Sequence, residues 1–193
     1  MSRNYCAVCY RPQRACICHL VEPIANAIPL RIIQHSGEVT QAKDTAKLAA
    51  LCLTCCEIEV VDHQLQQWTL AEHEFILFPD DSATAIEQVI EPVLSGDLSM
   101  CRQPIGFVLL DGTWRQANQL LRACKTNLND RFVSLGEHLS ETEYDILRKT
   151  KKNGALSTIE AISEVIRFNH EASRGQLLTV FQSFIQFQLR FKQ

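Results

Sequence analysis

The sequence predicts an α/β fold: a parallel sheet with helices on both faces, preceded by a small cysteine knuckle. Three observations carry this. Short apolar runs rich in β-branched residues alternate with stretches of helical apolar spacing. The runs are continuously apolar, as strands covered on both faces are. Four cysteines crowd the first eighteen residues, ahead of all of these runs.

Taken in order, residues 1–22 form the knuckle and residues 23–193 the main domain. Cys6-Ala7-Val8-Cys9 is followed by Cys16-Ile17-Cys18, with Tyr10-Arg11-Pro12-Gln13 as a turn between them. Two close pairs can present four thiolates to one tetrahedral zinc ion, which would supply the folding energy of a segment too short for a core. The plainer alternative is four ordinary thiols. His19 is a spare ligand that four cysteines make unnecessary.

Ile28 to Gln34 is the first expected strand, and Thr45 to Cys56 has helical spacing. Ile58–Val61 and Phe75–Phe78 are strand-like, the latter stopped by Pro79. Thr84 to Leu94 puts Ile86, Val89, Ile90, Val93 and Leu94 on one helical face. Gly106 to Leu110 is a buried strand, with a helix from Thr113 to Cys124 and a strand from Phe132 to Leu135. Ser157–Phe168 and Leu177–Phe191 are amphipathic helices. Residues 136–155 are polar and weakly periodic, as functional loops often are.

The chain has 193 residues, 46% hydrophobic and 21% charged, which excludes disorder and suits one core. Nineteen Lys+Arg against 22 Asp+Glu give a net charge of −3, so a nucleic-acid surface must be local. No stretch spans a bilayer and the N-terminus lacks the apolar core of a signal peptide. A cytoplasmic protein is expected, whose nine cysteines are thiols or metal ligands and not disulfides. Cys52, Cys55 and Cys56 read as core thiols on a helix.

Ligands of such sheets bind outside the carboxyl ends of the strands, so the loops after Gln34, Phe78, Leu110 and Leu135 carry the candidate chemistry. Asp111-Gly112-Thr113-Trp114-Arg115-Gln116 follows the best strand. Gly112 lets the chain turn, and Thr113 with Gln116 fits a capping box. Asp111 is either a catalytic carboxylate or a second cap, and Trp114 either core or a stacking platform. Leu156-Ser157-Thr158-Ile159-Glu160 makes a similar helix start. Two helix N-termini at one edge favour an anion such as a substrate carboxylate. Arg148, Lys149, Lys151 and Lys152 form a basic run, either a solvated face or phosphate contacts. The chain contains no P-loop, dinucleotide, nucleophile-elbow or zinc-protease motif. His35, His63 and His73 have no local support as a triad.

These pieces together resemble the DTW-domain family of tRNA-uridine aminocarboxypropyltransferases. The resemblance rests on Asp111-Gly112-Thr113-Trp114, the four-cysteine knuckle, Thr158-Ile159-Glu160-Ala161 and the strand ending Phe78-Pro79. His35-Ser36-Gly37-Glu38, then Lys43 and Asp44-Thr45, depart from the H-P-x-E, K and N-T pattern of similar members. The resemblance implies a SPOUT-like sheet with a C-terminal trefoil knot that binds S-adenosylmethionine. It implies transfer of a 3-amino-3-carboxypropyl group to uridine N3 in tRNA.

Asp111 is then the base for the N3 proton, and Trp114 orients the donor or stacks on the uracil. Leu77, Phe78, Pro79, Leu110, Gly112, Thr113, Leu135, Leu156, Ser157, Thr158 and Glu160 would hold the S-adenosylmethionine. His35, Glu38, Lys43, Arg115 and the basic run would meet tRNA. Cys6, Cys9, Cys16 and Cys18 hold the structural zinc. No membrane partner is expected, and a monomer is the expected state. Two other functions fit less of the sequence: a SPOUT-type RNA methyltransferase, and a zinc-knuckle RNA-binding protein without catalysis.

Overall fold

The computed structural model describes residues 4–41, 43–94, 104–136 and 156–191. The strands are β1 (Leu30–His35), β2 (Cys56–Val61), β3 (Glu74–Leu77), β4 (Thr84–Ala85), β5 (Gly106–Asp111) and β6 (Phe132–Ser134). The helices are α1 (Thr45–Cys52), α2 (Ile86–Leu94), α3 (Trp114–Ala123), α4 (Thr158–Phe168) and α5 (Ser173–Leu189). Among the described residues, six strands form one sheet in the order β2-β1-β5-β3-β6-β4, every pair parallel.

Alternate residues of the central strands serve the two faces. Leu30, Ile32, Phe107 and Leu109 pack with α1, α2, α4 and α5 in the larger core. Ile33, Val108 and Ile76 pack with Leu120 and Ala123 of α3 and with Trp68 in a second core. Continuous apolar runs thus became strands covered on both sides, as expected. Cys9 and Ile17 of the knuckle belong to the larger core, and Ile17 is fully buried. Among the described residues no helix is long and apolar enough to cross a membrane.

Three expected elements have other bounds. The helix expected to run to Cys56 stops at Cys52, because Ile24 N–H donates to Cys52 O and Thr54 N–H to Ile24 O. That bridge pulls Leu53 into an extended conformation, and Cys56 opens β2. Cys52 is therefore a buried helical thiol, Cys55 is exposed and Cys56 lies on a strand. Thr84–Ala85, expected as helix, pair with β6 before α2 begins. α5 starts at Ser173, one turn earlier than its apolar spacing suggests.

Candidate active site at the carboxyl edge of the sheet

Parallel pairing sets Gln34 at the end of β1 beside Asp111 at the end of β5. Gln34 is buried, and its Nε2 donates to Asp111 Oδ2 at 2.9 Å. The Thr158 hydroxyl, on the first residue of α4, donates to Asp111 Oδ1 at 2.5 Å. Both carboxylate oxygens are thus held, one from each side. Ser157 and Glu160 close the capping box that fixes this end of α4. Thr113 alone caps α3, in a capping box with Gln116. The Asp111 carboxylate is turned to β1 and α4 instead.

Asp44 joins the cluster from α1. Its Oδ1 caps the helix by accepting from Lys47 N–H at 2.9 Å. Burial, with Asp111 adding to it, pushes its pKa up to about 6 against the Lys47 N–H, Gln34 and Arg11. Arg11 of the knuckle donates from Nη2 to Asp44 O at 2.9 Å and lies 5.2 Å over the Phe184 ring. The knuckle, α1 and α5 are thereby tied together behind the site.

On the other side of β1, the buried His35 accepts from Gly37 N–H at Nδ1, 3.0 Å away. That assigns its proton to Nε2, which faces His63 Nδ1 at 3.0 Å. Gln116 Nε2 lies 3.4 Å from the same His35 Nδ1. Gly112 is required here, because a Cβ would meet Gln116 Cβ at 2.9 Å. His63 and His35 thus meet as no local sequence signal suggested. His73 sits at the opposite, amino end of β5, its carbonyl accepting from Gly106 N–H.

Trp114 is 47% exposed and stands edge-on to Phe78 at 5.6 Å, so it is a surface ring and not a core one. Phe78 in turn meets Phe132 at 6.2 Å. Leu77, Phe78 and Pro79 end the strand next to β5, Leu110 and Gly112 flank Asp111, and Leu135 follows β6. Leu156 is half-buried just before α4. The structure therefore gathers the residues expected to hold a donor around one edge. Glu38 and Lys43 are half-buried in the loop from β1 to α1, and Arg115 is exposed on the first turn of α3. Arg148, Lys149, Lys151 and Lys152 lie outside the described residues.

The metal-ligand reading of the knuckle meets a geometric test. The Sγ atoms of Cys6, Cys9, Cys16 and Cys18 all lie within 4.8 Å of one another. Cys6–Cys18 and Cys9–Cys16 are 3.6 and 3.8 Å apart. Four bonds of ~2.3 Å to a tetrahedral zinc require sulfurs about 3.8 Å apart. Tyr10 holds φ 57, and its N–H donates to Cys6 O, a tight turn between the two pairs. The N–H groups of Cys9 and Val8 pull the Cys6 thiol down to about 6, while burial pushes Cys18 up to about 12. Four sulfurs this close could all ionise only around a cation, and their spacing suits zinc, so the residues fit it.

Gln34 and Arg11 were not expected at the site; Gln116 was read only as a cap, His63 was weighed only for a triad, and Asp44 only as a departure from the family pattern. A polar residue closing an otherwise apolar strand was the available sign for Gln34. Asp44 preceding Thr45 was a cap signal whose position beside Asp111 only the fold supplies.

A DTW domain model matches residues 3–189. A tRNA-uridine aminocarboxypropyltransferase 2 of Macaca fascicularis is 27% identical over 97% of this chain and 64% of its own length. Its Mus musculus counterpart is 28% identical over the same shares. The Drosophila melanogaster one is 26% identical over 85% of this chain and 66% of its own. The chain thus spans somewhat less than two thirds of the curated relatives it matches. No solved structure matches. The motif and the cysteine knuckle lie within a match covering nearly the whole chain, and the chain belongs to the DTW domain family.

Proposed function

We propose that this chain transfers the 3-amino-3-carboxypropyl group of S-adenosylmethionine to N3 of a tRNA uridine, forming acp3U. The observation that carries the reading is Asp111, gripped by Gln34 and Thr158 at the carboxyl edge, beside the exposed Trp114. The names of the similar proteins support the reaction class.

S-adenosylmethionine supplies an electrophilic γ-carbon next to a sulfonium. Asp111 accepts the N3 proton as the N3–Cγ bond forms; the Cγ–S bond breaks and its electron pair stays on 5′-methylthioadenosine. Trp114 and Phe78 offer an aromatic face to a base. The starts of α3 and α4 direct N–H groups and positive dipole ends toward the donor carboxylate. Leu77, Pro79, Leu110, Gly112, Thr113, Leu135, Leu156, Ser157, Thr158 and Glu160 complete the donor site. Positioning supplies the remaining rate, because the leaving group is already activated.

Four cysteines hold structural zinc in residues 1–22, and residues 23–193 form the catalytic domain. The parallel sheet and its edge loops support a SPOUT-like architecture whose C-terminal knot would hold the donor. His35, Glu38, Lys43, Arg115 and the basic run at 148–152 contact tRNA. The protein acts as a cytoplasmic monomer.

Purified protein, S-adenosylmethionine and unmodified tRNA test this by nucleoside mass spectrometry. The expected products are acp3U and methylthioadenosine. S-adenosylhomocysteine with a methylated nucleoside would replace the reading by methyl transfer. RNA binding with neither product would leave a binding protein.

A further inference from the structure

The loops after β1 and β5 meet around one glutamine side chain. Gln116 Oε1 accepts from Thr113 N–H at 2.6 Å, and Gln116 Nε2 reaches His35 Nδ1 at 3.4 Å. Gly37 and Gly112 wall it in. A Cβ at Gly37 would stand 3.1 Å from Gln116 Nε2, and one at Gly112 would stand 2.9 Å from Gln116 Cβ. Neither glycine takes a positive φ, so what each supplies is room for the clasp.

The far end of the clasp is His35, and His63 sets its state. Gly37 N–H donates to His35 Nδ1 at 3.0 Å, and a backbone N–H can only donate. The His35 proton is therefore on Nε2, which meets His63 Nδ1 at 3.0 Å. Parallel register pairs His35 with Val61, so His63 comes from the turn just past β2. That turn is braced on Asp62. Its Oδ1 accepts from Gln64 N–H at 3.1 Å, its carbonyl from the N–H groups of Leu65 and Gln66, and its own N–H donates to Gln66 Oε1 at 3.2 Å. The reaction above leaves His63 without a role.

We infer that His63 is a positioning residue for the Asp111–Trp114 loop, acting through His35 and Gln116. The inference rests on the tRNA-modification reading for its effect on turnover. His63 Nδ1 is the acceptor that keeps the proton of the buried His35 on Nε2. His35 Nδ1 then stays a lone-pair acceptor for Gly37 and Gln116. Without His63 Nδ1, the proton can move to His35 Nδ1, where it meets the Gly37 N–H and the Gln116 NH2. Three donors would then share a place with no acceptor, which is costly inside a protein. Gln116 swings away, and Thr113 N–H loses its partner. Trp114 follows Thr113 and Asp111 lies two residues before it, so both lose the frame that holds them to the reacting groups.

The test compares His63→Leu with His63→Asn. In His63→Asn the side-chain oxygen takes nearly the place of Nδ1 and restores the acceptor, whereas His63→Leu fills the space without one. NMR of 15N-labelled histidine should show His35 protonated on Nε2 in wild type and in His63→Asn. A protonated Nδ1 should appear in His63→Leu. In acp3U formation, kcat should fall about tenfold in His63→Leu and stay within about twofold of wild type in His63→Asn. Affinity for tRNA, measured without turnover, should be the same in all three proteins.

A wild-type His35 that carries its proton on Nδ1 overturns the inference whatever the turnover. So does His63→Leu with wild-type kcat, and so does weaker tRNA binding with kcat unchanged, which would make His63 a direct tRNA contact. Equal losses of kcat in His63→Leu and His63→Asn overturn it as well, because the acceptor would then not be what matters. A His35 proton that shifts in His63→Leu, in a protein that forms no acp3U, would sustain the clasp and fail the reaction assignment alone.

Discussion

Replacing Asp111 by Asn separates its chemical role from its structural one. Asn keeps an oxygen for the Thr158 hydroxyl but turns an NH2 toward Gln34 Nε2, which now stands 2.9 Å from the carboxylate. Two donors then meet in a place where Gln34 is 2% exposed. Losing one hydrogen bond to a charged acceptor costs about 2 kcal/mol. For a chain of this size that lowers Tm by about 4–8 °C. Asp111→Ala strips both donors of their acceptor and should cost about twice as much. Turnover should fall by about 100-fold or more in both variants, since each lacks the base. In Asp111→Asn the deficit should shrink as pH rises, because ionised uracil needs no base. The assays are melting curves and single-turnover acp3U formation on the same preparations. Near-normal turnover in Asp111→Asn would refute the base. An unchanged Tm would refute the hydrogen-bonded grip.

Three more outcomes follow from the same geometry. Metal analysis should find about one zinc per chain, and Cys16→Ser should lower both zinc content and Tm; a metal-free protein of undiminished stability would remove the zinc site. Asp44, with a folded pKa raised to about 6, contributes stability that is complete below its unfolded value and is lost as pH rises through 6. Asp44→Asn should therefore melt above wild type at pH 7.5 and equal to it at pH 3.5, and equal melting at both would contradict the raised value. Neutralising Arg148, Lys149, Lys151 and Lys152 should weaken tRNA binding and flatten its salt dependence, with donor affinity unchanged; an unaltered slope returns the run to a solvated surface.

The strands were readable because a sheet covered on both faces writes unbroken apolar runs, of which Gly106–Leu110 is the plainest. The edge loops followed from the rule for parallel sheets, and Asp111 and Thr113 could be picked out there. Their division of labour could not. Both residues satisfy the local grammar of a helix cap, and only the register of β5 against β1 shows that Asp111 bonds to Gln34 while Thr113 caps α3. The end of α1 was misjudged for a similar reason. Its boundary is set by Ile24, more than twenty residues upstream, through a bridge that local periodicity does not encode. The histidine pair and Asp44 belong to the same class, being partners made neighbours by topology.

The separation between Gln34 and Asp111 also governs when the site can exist. These residues are 77 positions apart, and Thr158 lies a further 47 beyond Asp111. At ordinary rates of synthesis, roughly 4–15 s elapse between the emergence of the first two. During that interval β1 has β2 as a parallel neighbour but offers an open edge where β5 belongs. Unpaired parallel edges of this kind fold slowly and invite wrong partners. The nascent chain therefore carries an open edge at the strand that bears Gln34 until β5 is made. Substitutions that weaken β5 should reduce yield of soluble protein before they reduce activity.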